Sequence, residues 1–219
     1  MLAIVAAAAQ QDLAKAWDLV TGQSAETVRD FLMSVVPAVG DKYGLASATL
    51  AADWYDEVRS AAAVRGTFLA EPAPLPDSSR YEALVRWGVD PLFRPEPDPE
   101  ASQSLVGGGL QKIVTNMHGQ TLTESTLRDP AAQGWSRMAR AEGCDICKVL
   151  AGRGAVYREA TADFATHDHC LCVAVPEFGA VREVRDYERS KKFALDAAGE
   201  KKRKAANRAL RDYARETQG

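Results

Sequence analysis

The sequence is short of apolar runs, of histidine and of one-sided charge, and each shortage excludes something. No stretch approaches the roughly 18 consecutive apolar residues that cross a bilayer, so no spanning helix is expected. The nearest approach to a signal-peptide core is the opening Met1-Leu-Ala-Ile-Val-Ala-Ala-Ala-Ala9. It has no basic n-region and runs straight into Gln10, Gln11 and Asp12, so it reads as the start of an alanine-rich helix. The expected setting is intracellular, where thiols stay reduced. A formal net charge of −3 gives no general affinity for nucleic acid. Catalytic signatures are missing as well. There is no H-E-x-x-H, no H-x-E followed by P-C-x-x-C, and no Gly-Lys-Ser/Thr after Gly107-Gly-Gly109. Zincin, deaminase and phosphate-loop chemistries are thereby disfavoured, and a non-enzymatic protein is expected.

What is present reads as a mainly α protein of 219 residues with 46% hydrophobic and 26% charged content. Residues 1–71 are expected to be helical. Ser24 is a plausible N-cap, and Val28, Phe31, Leu32, Val35 and Val36 make one apolar stripe. Pro37 and Gly40 should end or bend that helix, with a second running from about Asp41 to Val64. Residues 72–99 hold seven of the ten prolines and are expected to form an extended linker. Within it, a short helix from Tyr81 to Trp87 is placed for docking, over a partner or over the helical body. Residues 100–134 are again helical. One helix runs from about Glu100 to Gly119, interrupted at Gly107-Gly-Gly109, and another lies near Thr123–Leu127. The lone His118 reads as a surface residue of the first.

Residues 135–178 differ. Trp135–Ala141, Ala155–Glu159 and Cys170–Val175 are strand candidates. All four cysteines fall here, between 144 and 172, in the pattern Cys144-x2-Cys147-x19-His167-x2-Cys170-x-Cys172. A C-x2-C turn presents two thiolates to one ion, and a second cluster about twenty residues on can complete a tetrahedron. Structural zinc is the expected cofactor. The candidate ligands are Cys144, Cys147, His167, Cys170 and Cys172. Cys144 and Cys147 are the surest, His167 and Cys170 come next, and Cys172 is an alternate for either. His169 points away or caps the site. A strand through Cys170-Leu-Cys172 would send its two sulfurs to opposite faces, so one of them is expected to bind. Buried metal-free thiols and a disulfide set are the competing readings.

Residues 179–219 are expected to be a basic helical tail. From Arg182 onward there are twelve Lys and Arg against seven Asp and Glu, an excess of five positive charges. The preceding residues carry an excess of eight negative charges. Such asymmetry marks a solvated helix or an interaction tail.

Four segments together resemble a known family: Gly134-Trp-Ser-Arg-Met-Ala-Arg140, Cys144-Asp-Ile-Cys147, Leu150-Ala-Gly-Arg-Gly-Ala-Val-Tyr157 and His167-Asp-His-Cys-Leu-Cys-Val-Ala-Val-Pro176. The family is the MuF-like head-morphogenesis proteins, minor capsid proteins of tailed phages, especially those infecting actinobacteria. Its motif is C-x2-C followed by H-x2-C-x-C. The runs Leu50–Arg59, Tyr81–Leu92 and Leu110–Asn116 are similar to its helical parts, so the resemblance covers roughly residues 41–178. No segment resembles the protease or toxin domains fused to longer relatives. The resemblance implies a structural protein of the virion, in the capsid interior or at the portal vertex, present in the host cytoplasm during assembly. Its implied partners are the portal protein and the major capsid protein. A nucleic-acid role is the alternative, with packaged DNA bound by Lys191, Lys192, Lys201, Lys202, Arg203 and Lys204; such binding would be steeply salt-dependent.

Overall fold

The computed structural model describes residues 1–140, 143, 145–152, 164 and 166–179. Cys144, the expected strand at 155–159 and the basic tail from 180 onward, with its six lysine and arginine candidates, lie outside the described residues.

Helix α1 spans Leu2–Asp18 and buries Leu2, Ala6, Ala9, Leu13, Ala16 and Trp17, a single face at helical spacing. Helix α2 spans Ala25–Ala61. Its N-terminus is where the sequence placed it: the Ser24 hydroxyl accepts from the Thr27 N–H at 3.2 Å. The expected break at Pro37 does not occur. The helix runs through it for 37 residues, about 55 Å at 1.5 Å per residue. An internal proline removes one backbone hydrogen bond and costs ~3 kcal/mol or more. Here the stripe Val28, Leu32, Val36, Gly40, Gly44, Ala48, Ala52, Tyr55 and Arg59 is buried on both sides of the proline, and that continuous packing outweighs the local cost. Gly40 contributes by absence, because a Cβ there would collide with the Tyr81 ring. The Tyr81 hydroxyl then donates to Asp41 at 2.9 Å.

Helix α3 spans Ser78–Gly88, capped by the Asp77 carboxylate, which accepts from the Ser79 N–H at 2.9 Å. A short 3-10 turn follows at Asp90–Phe93. The proline-rich segment is thus partly helical, and it lies on the helical body. Ala73 N–H donates to the Thr121 hydroxyl at 3.0 Å, Tyr81 and Val85 are fully buried, and Val89 joins them in the core.

Helix α4 spans Pro99–Arg128 without interruption, another departure from expectation. The glycines at 107–109 do not break it because each is occupied by a neighbour. The Gln10 amide donates to Gly107 O at 2.7 Å, Leu84 packs onto Gly109, and His169 sits over Gly108. Close approach to three partners offsets the roughly 1 kcal/mol helix penalty of each glycine. The second helix expected at 123–127 is the end of this same element. With buried residues on nearly every side, α4 is the central rod of the molecule.

Two cores line up along α2 and α4. The first is all-helical: Leu13, Trp17, Leu32, Val36, Tyr81, Val85, Val106 and Leu110. The second joins helix to the cysteine-bearing module: Ala51, Tyr55, Leu122, Trp135, Cys147, Phe164, Cys172 and Ala174. Strands β1, Gly134–Met138, and β2, Val173–Glu177, pair antiparallel, with Trp135 opposite Pro176 and Met138 opposite Val173. Helix α5, Asp145–Ala151, lies between them in sequence. No described helix is long and apolar enough to cross a membrane.

Candidate metal centre

Three of the five expected ligands converge. Cys147, in α5, is fully buried; Cys170 is partly buried and His167 exposed, and their donor atoms all lie within 4.8 Å of one another. Cys147 Sγ is 3.3 Å from Cys170 Sγ and 3.7 Å from His167 Nδ1. Cys172 Sγ, also buried, is 3.2 Å from Cys170 Sγ. Cys144, immediately before α5, lies outside the described residues.

Local backbone geometry explains the convergence. A turn closes from Cys170 N–H to His167 O at 3.2 Å. It is completed by His169 at φ 60°, a left-handed conformation that histidine tolerates better than most residues. This folds the H-x2-C pair back on itself and brings its two donors to one side. Strand β2 begins only at Val173, so the alternation expected for Cys170-Leu-Cys172 does not apply and their sulfurs come together. His169 is turned elsewhere: its Nε2 would lie 2.6 Å from a Cβ at Gly108. Asp168 pairs with Lys112 at 3.3 Å.

The sulfurs fit a cation better than they fit one another. No disulfide forms among the described residues. Contact with Cys147 and then Cys172 holds the Cys170 thiol far below the ordinary range. At Cys172 the pull of Cys147 is outweighed by Cys170 and by burial, and its thiol is pushed up. One thiolate is thus favoured and a second, beside it, resisted. A divalent ion removes that conflict by neutralising both, and soft thiolate donors with one imidazole suit it. This donor set can hold a metal ion, and its separations approach the ~3.8 Å edge of a tetrahedron of sulfurs at 2.3 Å from zinc.

His118, expected on the surface, is buried instead. It is only 7% exposed, near Trp54 at 6.4 Å between ring centroids. Its Nδ1 has no partner among the described residues. It lines a cavity of about 420 Å³ with Leu2, Leu50, Trp54, Leu171 and Val173. A polar residue in a helix that turns out to be buried all round gives no periodic signal of its burial.

A mainly helical protein with a cysteine and histidine cluster that could hold a metal ion is the class that the described residues define. The chain belongs to the VG15 protein family, whose sequence profile matches residues 1–195, and is accordingly a phage protein. The match takes in the helical body, the proline-rich strap and the whole cysteine and histidine cluster. No curated protein and no solved structure matches the chain.

Proposed function

We propose that the chain is a non-enzymatic minor capsid protein of a tailed phage, in which zinc clasps a small module onto a helical body that docks on the portal or inner shell. The observation carrying this reading is that one phage family spans residues 1–195, while the sequence from Trp135 to Pro176 resembles head-morphogenesis proteins. The donor chemistry supports zinc, and a thiolate-rich donor set is more often structural than catalytic.

The docking element has a physical basis. The strap presents Trp87, 50% exposed, and Phe93, 46% exposed, on a segment fixed to the body by Tyr81 and Val85. Aromatic anchors on a pre-ordered segment bind at low ordering cost. Mass spectrometry of purified phage particles tests the reading. The protein is expected in the particle alongside the portal protein, and its absence from particles that contain portal and shell would overturn the proposal.

A further inference from the structure

The metal-binding turn is moulded on a single stripe of α4. Gly108, Lys112, Thr115, Asn116 and Gly119 fall at i, i+4, i+7, i+8 and i+11, on one helical face. Phe164 and residues 166–169 run antiparallel along it. Phe164 packs on Gly119. Thr166 donates both its backbone N–H, at 3.0 Å, and its hydroxyl, at 2.9 Å, to Asn116 Oδ1. Asp168 pairs with Lys112 and His169 covers Gly108. The chain then turns back, and the Thr115 hydroxyl reaches Cys170 O at 3.4 Å. Ligands His167 and Cys170 are therefore bracketed by residues anchored to the helix.

Asn116 holds the most specific of these anchors. A backbone N–H can only donate, so the Asn116 atom it meets is the carbonyl oxygen, which takes two bonds from one residue. Thr166 is 4% exposed, so losing that acceptor would strand a buried N–H and a buried hydroxyl. The adjacent residue is the ligand His167. We infer that Asn116 is a positioning residue of the metal centre: it touches no donor atom, but it fixes Thr166 and so pre-sets the His167–Cys170 turn for the ion. The inference rests on the zinc reading above. Groups that hydrogen-bond a metal ligand directly typically govern affinity by about 10–100-fold; Asn116 acts through the ligand's neighbour, so the low end of that range is expected.

The test is zinc affinity of the full chain by competition with a chromophoric chelator, with the cobalt(II) absorption spectrum as the signature of the ligand set. Asn116→Leu is expected to weaken zinc by about 10-fold and to alter the cobalt bands. Asn116→Asp, which keeps both acceptor bonds, should stay within about threefold of wild type. Thr166→Val, which loses only the hydroxyl bond, should fall between and decides the matter if Asn116→Leu does not fold. Wild-type affinity in the folded Leu variant, or in Thr166→Val where that variant does not fold, overturns the inference, as does an Asp variant as weak as Leu. A wild-type chain that binds no zinc overturns the zinc reading itself, an outcome distinct from equal binding by wild type and variants.

Discussion

Arg59, near the end of α2, donates its Nε to Asp129 Oδ2 at 2.8 Å, closing the last turn of α2 against the end of α4. The Asp129 side chain is fully buried and that of Arg59 is 10% exposed. The Tyr55 hydroxyl adds a bond to the same oxygen at 3.2 Å. The remaining guanidinium nitrogens donate to Gly66 O at 3.0 Å and Arg65 O at 3.3 Å, so one arginine also fastens the turn that leaves α2. Breaking such a pair leaves a buried charge without its partner. Asp129→Ala is expected to cost about 3–5 kcal/mol in urea unfolding, and Arg59→Met with Asp129→Leu together should recover much of that loss. A cost below about 1 kcal/mol for Asp129→Ala would show that water reaches the arginine.

The buried imidazole of His118 gives stability a pH dependence of defined sign. Burial pushes its pKa down from 6.5 to about 4. The unfolded chain therefore binds the extra proton at higher pH than the folded one. The contribution is fully present above about pH 6.5 and is lost as pH falls towards 4, reaching about 3 kcal/mol. Acid also protonates thiolates, so the informative quantity is the difference between proteins. His118→Leu should unfold with a shallower loss of stability between pH 7 and 4.5 than wild type. Identical slopes would contradict the assignment.

Much of the helical layout was legible because local signals and global packing agreed. Ser24 caps where its side chain suggests, and Val28, Leu32 and Val36 face the core as their spacing requires. The errors share one cause. Pro37, Gly40 and the glycines at 107–109 are breakers by local rule, but α2 is buried on both sides of Pro37 and the glycines are met by residues far away in sequence: Tyr81 at Gly40, and Gln10, His169 and Leu84 at 107, 108 and 109. Long-range partners are invisible to periodicity. The cysteine pattern located the centre, and the structure brings Cys147, His167 and Cys170 together. That the sulfurs of Cys170 and Cys172 adjoin was not legible, since it depends on where β2 starts. The helix from Tyr81 to Trp87 was expected to dock over a partner or over the helical body, and residue type alone does not say which side chain does which. Tyr81 is in fact a core residue, while Trp87 and Phe93 face outward.

That division sharpens the docking test. Removing 72–99 would strip Tyr81 and Val85 from the core and destroy the body with the strap. Trp87→Ala with Phe93→Ala removes half-exposed rings, Phe93 also lying under the Arg29 guanidinium, and leaves the buried Tyr81 and Val85 in place, so the cost in stability should stay at about 1 kcal/mol each. The double variant is expected to stay folded and to lose at least about tenfold in co-purification with portal-containing particles, since anchor aromatics carry about 2 kcal/mol or more. Unchanged co-purification would remove the strap from the docking surface.

The most direct test of the metal-clasped module is X-ray absorption at the zinc edge, with elemental analysis, on protein purified without added metal. About one zinc per chain is expected, with a first shell of three sulfurs near 2.3 Å and one nitrogen near 2.0 Å, and Cys147→Ser should lose the ion. A folded wild-type protein that carries no zinc, or one whose zinc shell is mostly oxygen, would contradict it.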